Sequence, residues 1–383
     1  MAERKKFLRL AGVSLDDRAY RAVKTVLKSG RLIQGEKVAK FENHLARFIG
    51  VKEVVAVSSG TAALHLSALA LGIGNGDAVI VPAFTFPATA NAFEVAGAVT
   101  ILADVHMANY CLTPISVSGA IKNWRGRERL KAIVLVHEFG YPALVDEIKA
   151  IADKYGLLLV EDAACALGSR SDFRHVGSFG AVGCFSFHPR KALTTGEGGA
   201  VVTDNSALAE KLRRLRNHGI NWEGESGMDF SEAGLNYRMT EFQAALGLAQ
   251  ACGFQKVLKK RRALAELYFE HLGPLEKEGI LTLPEDNEGH SWQTFMVTLN
   301  DRFDRDAAIR LMRERGVETN LGAQALCSLR YYKTKYLYKE SDFPTATRLY
   351  RQGLALPLHT RLSKSDVEYI AKSLMGTLNA FRG

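Results

Sequence analysis

Cysteine is scarce in this chain: five residues among 383, at positions 111, 165, 184, 252 and 327. No two of them form a C-x-x-C pair and the number is odd. That argues against a disulfide framework or a zinc site and for reduced thiols, hence a cytoplasmic protein. No apolar run reaches the roughly 18 residues a membrane span needs. The opening MAERKKFLRL carries positive charge but no apolar stretch, so no secretory signal is expected. The formal charge is +9, yet no aromatic residues interleave with the basic runs, and nucleic-acid binding is not expected. Those runs, Lys122–Lys131, Lys211–Arg216 and Lys259–Arg262, read as solvated helix faces. Attraction of an anionic substrate by their summed field is the weaker reading. Internal repeats and low-complexity stretches are missing too.

What is present belongs to a soluble globular enzyme: 47% hydrophobic and 24% charged residues. At 383 residues the chain exceeds the roughly 250–300 at which one core stops growing. A large domain over residues 1–252 and a smaller one over 253–383 are expected. An N-terminal arm over 1–13 precedes a helix opened by Ser14 and Asp17 in capping-box spacing. From Glu53 onward, apolar strands alternate with helices: strands at Glu53–Val57, Ala78–Val81, Val99–Ala103, Ala132–Val136, Leu157–Val160, Cys184–Phe187 and Ala200–Thr203. Continuously apolar strands separated by helices predict a mainly parallel sheet covered on both faces, an α/β fold. Two long helical patterns, Thr240–Ala251 and Gln255–His271, lead into a second α/β region with a strand at Thr294–Thr298 and helices at Asp306–Arg315 and Ser365–Leu378.

Three segments carry chemistry. In Ser58-Ser59-Gly60-Thr61-Ala62 a strand runs through a glycine turn into a helix, which gathers free amides, a helix dipole and hydroxyls where a phosphate could sit. A plain capped helix start is the commoner cause of such a sequence. In Val160-Glu161-Asp162 a strand delivers two carboxylates at its C-terminal end, where ligands of open α/β sheets bind. Adjacent strand residues point to opposite faces, so only one can face a site. In Ser186-Phe187-His188-Pro189-Arg190-Lys191 a lone lysine follows a strand. A lysine held between buried strands is costly to desolvate, which favours a neutral, nucleophilic amine. The glycines at 196, 198 and 199 match neither a dinucleotide fingerprint nor a P-loop; they read as backbone passing close to a neighbour.

Together the segments VAVSSGTAALHL, VIVPAFTFPATANA, VHEFGYPA, VEDAACALGS, FSFHPRKALTTGEGGAVVTDN, LRRLRNHG and LNYRMTEFQAALGLAQ resemble the DegT/DnrJ/EryC1/StrS sugar aminotransferases over nearly the whole chain. The resemblance implies the fold type I architecture of enzymes that use pyridoxal 5′-phosphate (PLP). It implies that Lys191 is the Schiff-base lysine and that Asp162 pairs with the ring nitrogen. It puts Gly60, Thr61, the backbone at Ala62 and the Ser186 hydroxyl around the phosphate, and Phe86 against the ring. Asn236 would reach the phosphate of a neighbouring subunit, which makes the protein a homodimer with shared sites. Cys165 stands where Gln or His is more common beside the phenolic oxygen. A thiol is a weak donor, so that contact is lost, bridged by water or made by another group.

Some relatives carry His in place of the lysine and act as dehydratases; Lys191 favours transamination. The implied reaction moves an amino group from an amino acid, glutamate by resemblance, to a keto-sugar, nucleotide-linked in most relatives. A PLP-dependent dehydratase or deoxygenase, and a free keto-sugar acid as acceptor, are the alternatives. His137, His188 and His359 are candidate substrate contacts, with a structural role equally open for each.

Overall fold

A computed structural model describes residues 7–221 and 227–381. The first helix, Asp17–Ser29, is opened by Asp16, whose carboxylate accepts from the Arg18 and Ala19 amides at 3.0 and 3.2 Å. The expected Ser14–Asp17 box is therefore corrected. Two acceptors compete for one helix start, and the carboxylate directly preceding the first turn reaches both amides.

The centre is a seven-stranded sheet built from β1 (Glu53–Val57), β2 (Asp77–Pro82), β3 (Val99–Ala103), β4 (Arg129–Val136), β5 (Leu158–Asp162), β6 (Val182–Ser186) and β7 (Gly199–Thr203). Their order is β1-β7-β6-β5-β4-β2-β3. β2 pairs in parallel with β3 and β4, and β5 pairs in parallel with β4 and β6. β7 runs antiparallel to both β6 and β1. The reversal has a simple origin: the β6–β7 connection contains no crossover helix, so the chain can only turn back. That returning loop carries Lys191.

Both faces of the sheet are buried, as the apolar strands require. Val55, Val57, Val134, Val160 and Val182 face one layer of core. Val54, Ala56, Phe185 and Ala200 face a second, and Ile80, Ile133, Leu135 and Leu159 a third. A three-stranded antiparallel sheet follows: β8 (Leu281–Thr282), β9 (Phe295–Leu299) and β10 (Gly353–Leu356). It shares a core with helices Phe254–Lys277, Arg305–Glu314 and Lys364–Asn379.

Contacts cross between the two halves. Leu8 of the arm joins the C-terminal core, and its amide and carbonyl bond Gly316 and Glu318 at 2.8 Å each. Gln324–Ala325 pairs with Phe84–Thr85, and residues from Ala323 to Leu349 pack into the core of the large sheet. These crossings place Leu10, Ala11 and Leu321–Ala323 on the walls of one cavity at the C-terminal edge of β1, β4, β5 and β6.

Candidate active site

This cavity has a volume of about 320 Å³. Gly60, Thr61, Phe86, Asp162, Cys165, Ser186, His188 and Lys191, each picked out from sequence, all line it.

The helix Gly60–Ala70 begins at its rim. Ser59 is extended, with φ −163° and ψ 166°, and its Oγ accepts from the Ala62 amide at 3.0 Å. The Ala62 amide, expected to face a phosphate, is thus engaged by the cap. The amides of Gly60 and Thr61 lie in the first turn and have no intrahelical acceptor, and with the helix dipole they are the ones positioned for an anion. Gly60 is required by close approach: a Cβ there would lie 2.7 Å from Ser186 Cβ. Gly199 passes the same point, where a Cβ would meet Ser59 O at 2.4 Å. Those contacts hold β6, β7 and the helix start together and bring the Ser186 hydroxyl to the anion side.

The two carboxylates ending β5 diverge as strand alternation demands. Asp162 faces the cavity; its Oδ2 accepts from Thr89 Oγ1 at 2.8 Å and its Oδ1 from the Ala164 amide at 3.1 Å. Burial raises its pKa, opposed by Thr89, the Ala164 amide and then the Lys191 charge. Glu161 points the other way, fully buried. It accepts from the amides of Gly177, Phe179 and Gly180 at 2.6, 2.6 and 2.7 Å, and its Oε2 lies 2.9 Å from His137 Nε2. His137 also accepts from the Ala143 amide through Nδ1 at 3.1 Å and does not line the cavity. Its expected contact with substrate is corrected: the β4 end turns it into the layer behind the sheet, where it braces the loop that Glu161 organises.

Lys191 is half-buried, and its Nζ lies 2.9 Å from Cys165 Sγ. Burial pushes the Cys165 thiol up, against the pull of the Lys191 charge. His188 lines the cavity half-exposed and is lowered by burial, with Glu197 opposing. His359 does not reach the cavity. It bonds Arg9 O through Nε2 at 3.0 Å and accepts from the Arg361 amide at 3.3 Å, so it pins the N-terminal arm rather than a ligand. Phe86 overhangs the mouth at 60% exposed. Asn236 is exposed and bridges Asn217 outside its own chain's cavity.

Sequence reasoning missed Thr85 and Thr89. They stand four residues apart in FTFPATAN, and only the fold shows that this turn delivers the Thr89 hydroxyl to Asp162, with the Thr85 hydroxyl 3.1 Å behind it. It also passed over Arg190 and Gln293, which line the cavity.

The residues present suit PLP. An anion pocket at Gly60, Thr61 and Ser186, a buried carboxylate and an amine share one cavity, and the glycine contact leaves no room for a side chain at the anion end. Arg190 puts positive charge on the cavity wall beside the Lys191 amine, which matches an anionic guest.

Comparison with known proteins identifies the family. Residues 13–375 match the model of the DegT/DnrJ/EryC1/StrS aminotransferase family. The aminotransferase TlmJ from Streptoalloteichus hindustanus is 32% identical, with a TM-score of 0.88 over 98% of this chain and 99% of that one. A DegT DnrJ EryC1 StrS aminotransferase from Brucella abortus is also 32% identical, with a TM-score of 0.85 over 94% and 95%. Helicobacter pylori PseC, an aminotransferase involved in the biosynthesis of pseudoaminic acid, is 27% identical, with a TM-score of 0.90 over 98% and 100%.

Proposed function

The chain belongs to the DegT/DnrJ/EryC1/StrS aminotransferase family and is a PLP-dependent aminotransferase, and on that premise we propose that it moves an amino group from glutamate to a nucleotide-linked keto-sugar. The observation that carries the reading is the placing of Lys191, Asp162 and the Gly60–Thr61 helix start on one cavity.

When bound, PLP supplies a protonated ring that withdraws electrons from the carbon bearing the amino group. Lys191 holds it covalently through Nζ. With the cofactor bound, the Lys191 amine would be placed to take a proton from the substrate and return it, as general base and then acid. Asp162, ionised and screened from water, accepts the ring N–H and stabilises that positive charge. The Gly60 and Thr61 amides and the Ser186 hydroxyl hold the phosphate, and Phe86 covers the ring. Cys165 keeps the Lys191 amine from swinging away, at a contact of 2.9 Å. Asn236, exposed and outside its own cavity, reaches the phosphate of a second copy, so the working unit is a homodimer. His188 and Arg190 at the mouth meet the anionic part of the sugar substrate. The five free thiols fit the cytoplasm; among the described residues no helix is long and apolar enough to cross a membrane.

The test is a two-stage assay. Glutamate is added to PLP-loaded protein and the cofactor absorbance followed; a panel of keto-sugars, nucleotide-linked and free, is then offered to the product. Reversal by a nucleotide-linked keto-sugar supports the reading. Absorbance unchanged by glutamate and by other amino donors refutes transamination. Reversal by a free keto-sugar acid alone would replace the proposed substrate.

A further inference from the structure

One buried group of this cavity has no part in the mechanism above. Glu138 follows β4, is only 3% exposed and lines the cavity. Its Oε2 is buried without a hydrogen-bond partner among the described residues. The turn that aims it is strained: Phe139 has a φ of 55°, in the left-handed region that a phenylalanine rarely adopts. The Gln293 amide fixes that turn by donating to Phe139 O at 2.9 Å. Backbone of this kind persists only where the surroundings over-determine it.

The hydrogen bonds at the two carboxyls decide where a proton sits. Thr89 donates to Asp162 Oδ2 at 2.8 Å. Thr85 Oγ1 lies 3.1 Å from Thr89 Oγ1. Each hydroxyl has one hydrogen to give. Thr89 gives its hydrogen to Asp162. Asp162 thus accepts two hydrogen bonds, from Thr89 and from the Ala164 amide at 3.1 Å, whereas Glu138 Oε2 accepts none. Hydrogen bonds to the charged form favour it, so of the two carboxyls it is Glu138 that keeps a proton more readily.

The charges around Glu138 agree. Facing it are Asp162 at the end of β5, Cys165 just beyond, Lys191 from the β6–β7 loop, and Cys111 from the segment before helix Pro114–Asn123. Lys191 is the one cation among these. Burial, with the Asp162 charge second, pushes Glu138 up to about 7.

We propose that Glu138 is a positioning residue of this site: facing Asp162 with its Oε2 unpartnered, it keeps the proton of a coupled carboxyl pair, so that Asp162 is the member left ionised for the ring nitrogen. The assignment rests on the PLP site described above.

The experiment is a pH titration of the Lys191–PLP chromophore in loaded protein, followed by absorbance from about pH 5.5 to about pH 9. In the unaltered protein Glu138 ionises within this range, so the curve spans two coupled steps. Glu138→Gln keeps the size and a hydrogen-bond donor but cannot ionise. Its curve collapses to one step and its midpoint moves down by about one pH unit, because the negative charge that favoured the protonated chromophore at higher pH is gone. Glu138→Leu removes the donor as well and weakens PLP binding by about tenfold, a loss that Glu138→Gln does not show. If Glu138→Leu fails to fold, the glutamine comparison decides alone. Superimposable curves for the unaltered protein and Glu138→Gln, each carrying chromophore, overturn the role of Glu138 and leave the PLP site standing. A protein that forms no chromophore at all overturns both.

Discussion

The hydrogen bond from Thr89 to Asp162 gives a prediction whose size can be worked out. Thr89→Val keeps the side-chain shape and removes the hydroxyl that donates at 2.8 Å to Oδ2. A hydrogen bond to a charged group contributes roughly 1.5–3 kcal/mol. Asp162 retains the Ala164 amide at 3.1 Å, so one donor of two is lost. Without ligand, the variant has an escape: Thr89 is among the groups that hold the Asp162 pKa down against burial, so its removal raises that pKa further and the carboxyl takes up a proton more readily. Bound PLP removes the escape, because the ring N–H needs an ionised partner. The cost therefore falls on binding, and roughly 1.5–3 kcal/mol converts to a PLP affinity weaker by about 10- to 150-fold. The sign of the pH dependence follows. A raised pKa means the penalty is largest at low pH, where the unliganded variant is protonated, and shrinks as pH rises through the variant's Asp162 pKa. Equilibrium titration of ligand-free protein with PLP across pH measures both. An affinity within twofold of the unaltered protein, or a penalty that grows with pH, would refute the argument.

Other outcomes can be stated more briefly. Lys191→Ala abolishes the covalent chromophore and amino transfer together; a Lys191→Ala protein that still aminates substrate contradicts the mechanism. Gly60→Ala drives a Cβ to 2.7 Å from Ser186 Cβ, so PLP affinity falls by about tenfold or more while the fold persists, as seen by titration alongside circular dichroism. Glu161→Gln turns an NH₂ toward some of the donors that Glu161 now accepts from; urea unfolding should show a loss of roughly 2–4 kcal/mol, and an unchanged midpoint counts against the bracing role. Co-assembly of Lys191→Ala subunits with Asn236→Ala subunits regains one working site per mixed dimer if Asn236 serves the neighbour; no recovery on mixing places its role elsewhere.

The strands were legible because they are buried on both faces. Val99–Ala103 and Glu53–Val57 read directly, and the other strands of the large sheet fell within a few residues of their observed ends. The elements that escaped notice have weaker signals: Pro114–Asn123, Ser206–Arg216 and the short β10, Gly353–Leu356, whose four residues are too few to show a period. Among site residues, Asp162, Ser186 and Gly60 were legible because each ends a strand or opens a helix in a recognisable segment, and Lys191 because it sits in the loop that follows one. The histidines were not. Nothing local distinguishes His188, at the cavity mouth, from His137, bonded to Glu161 behind the sheet, or from His359, bonded to Arg9 O.

The sequence by itself determined the alternation of apolar strands and helices, the divergence of Glu161 from Asp162, and the glycines at 60 and 199, because periodicity and steric demand are local properties of the chain. Only the tertiary structure decided which polar groups meet. Thr85 and Thr89 are about 50 to 75 residues from Glu138 and Asp162 in sequence, and the buried oxygen of Glu138 becomes notable only when the surrounding elements close over it. Hydrogen bonds and charge coupling act over a few ångströms in space, and it is the order of strands in the sheet that sets those distances.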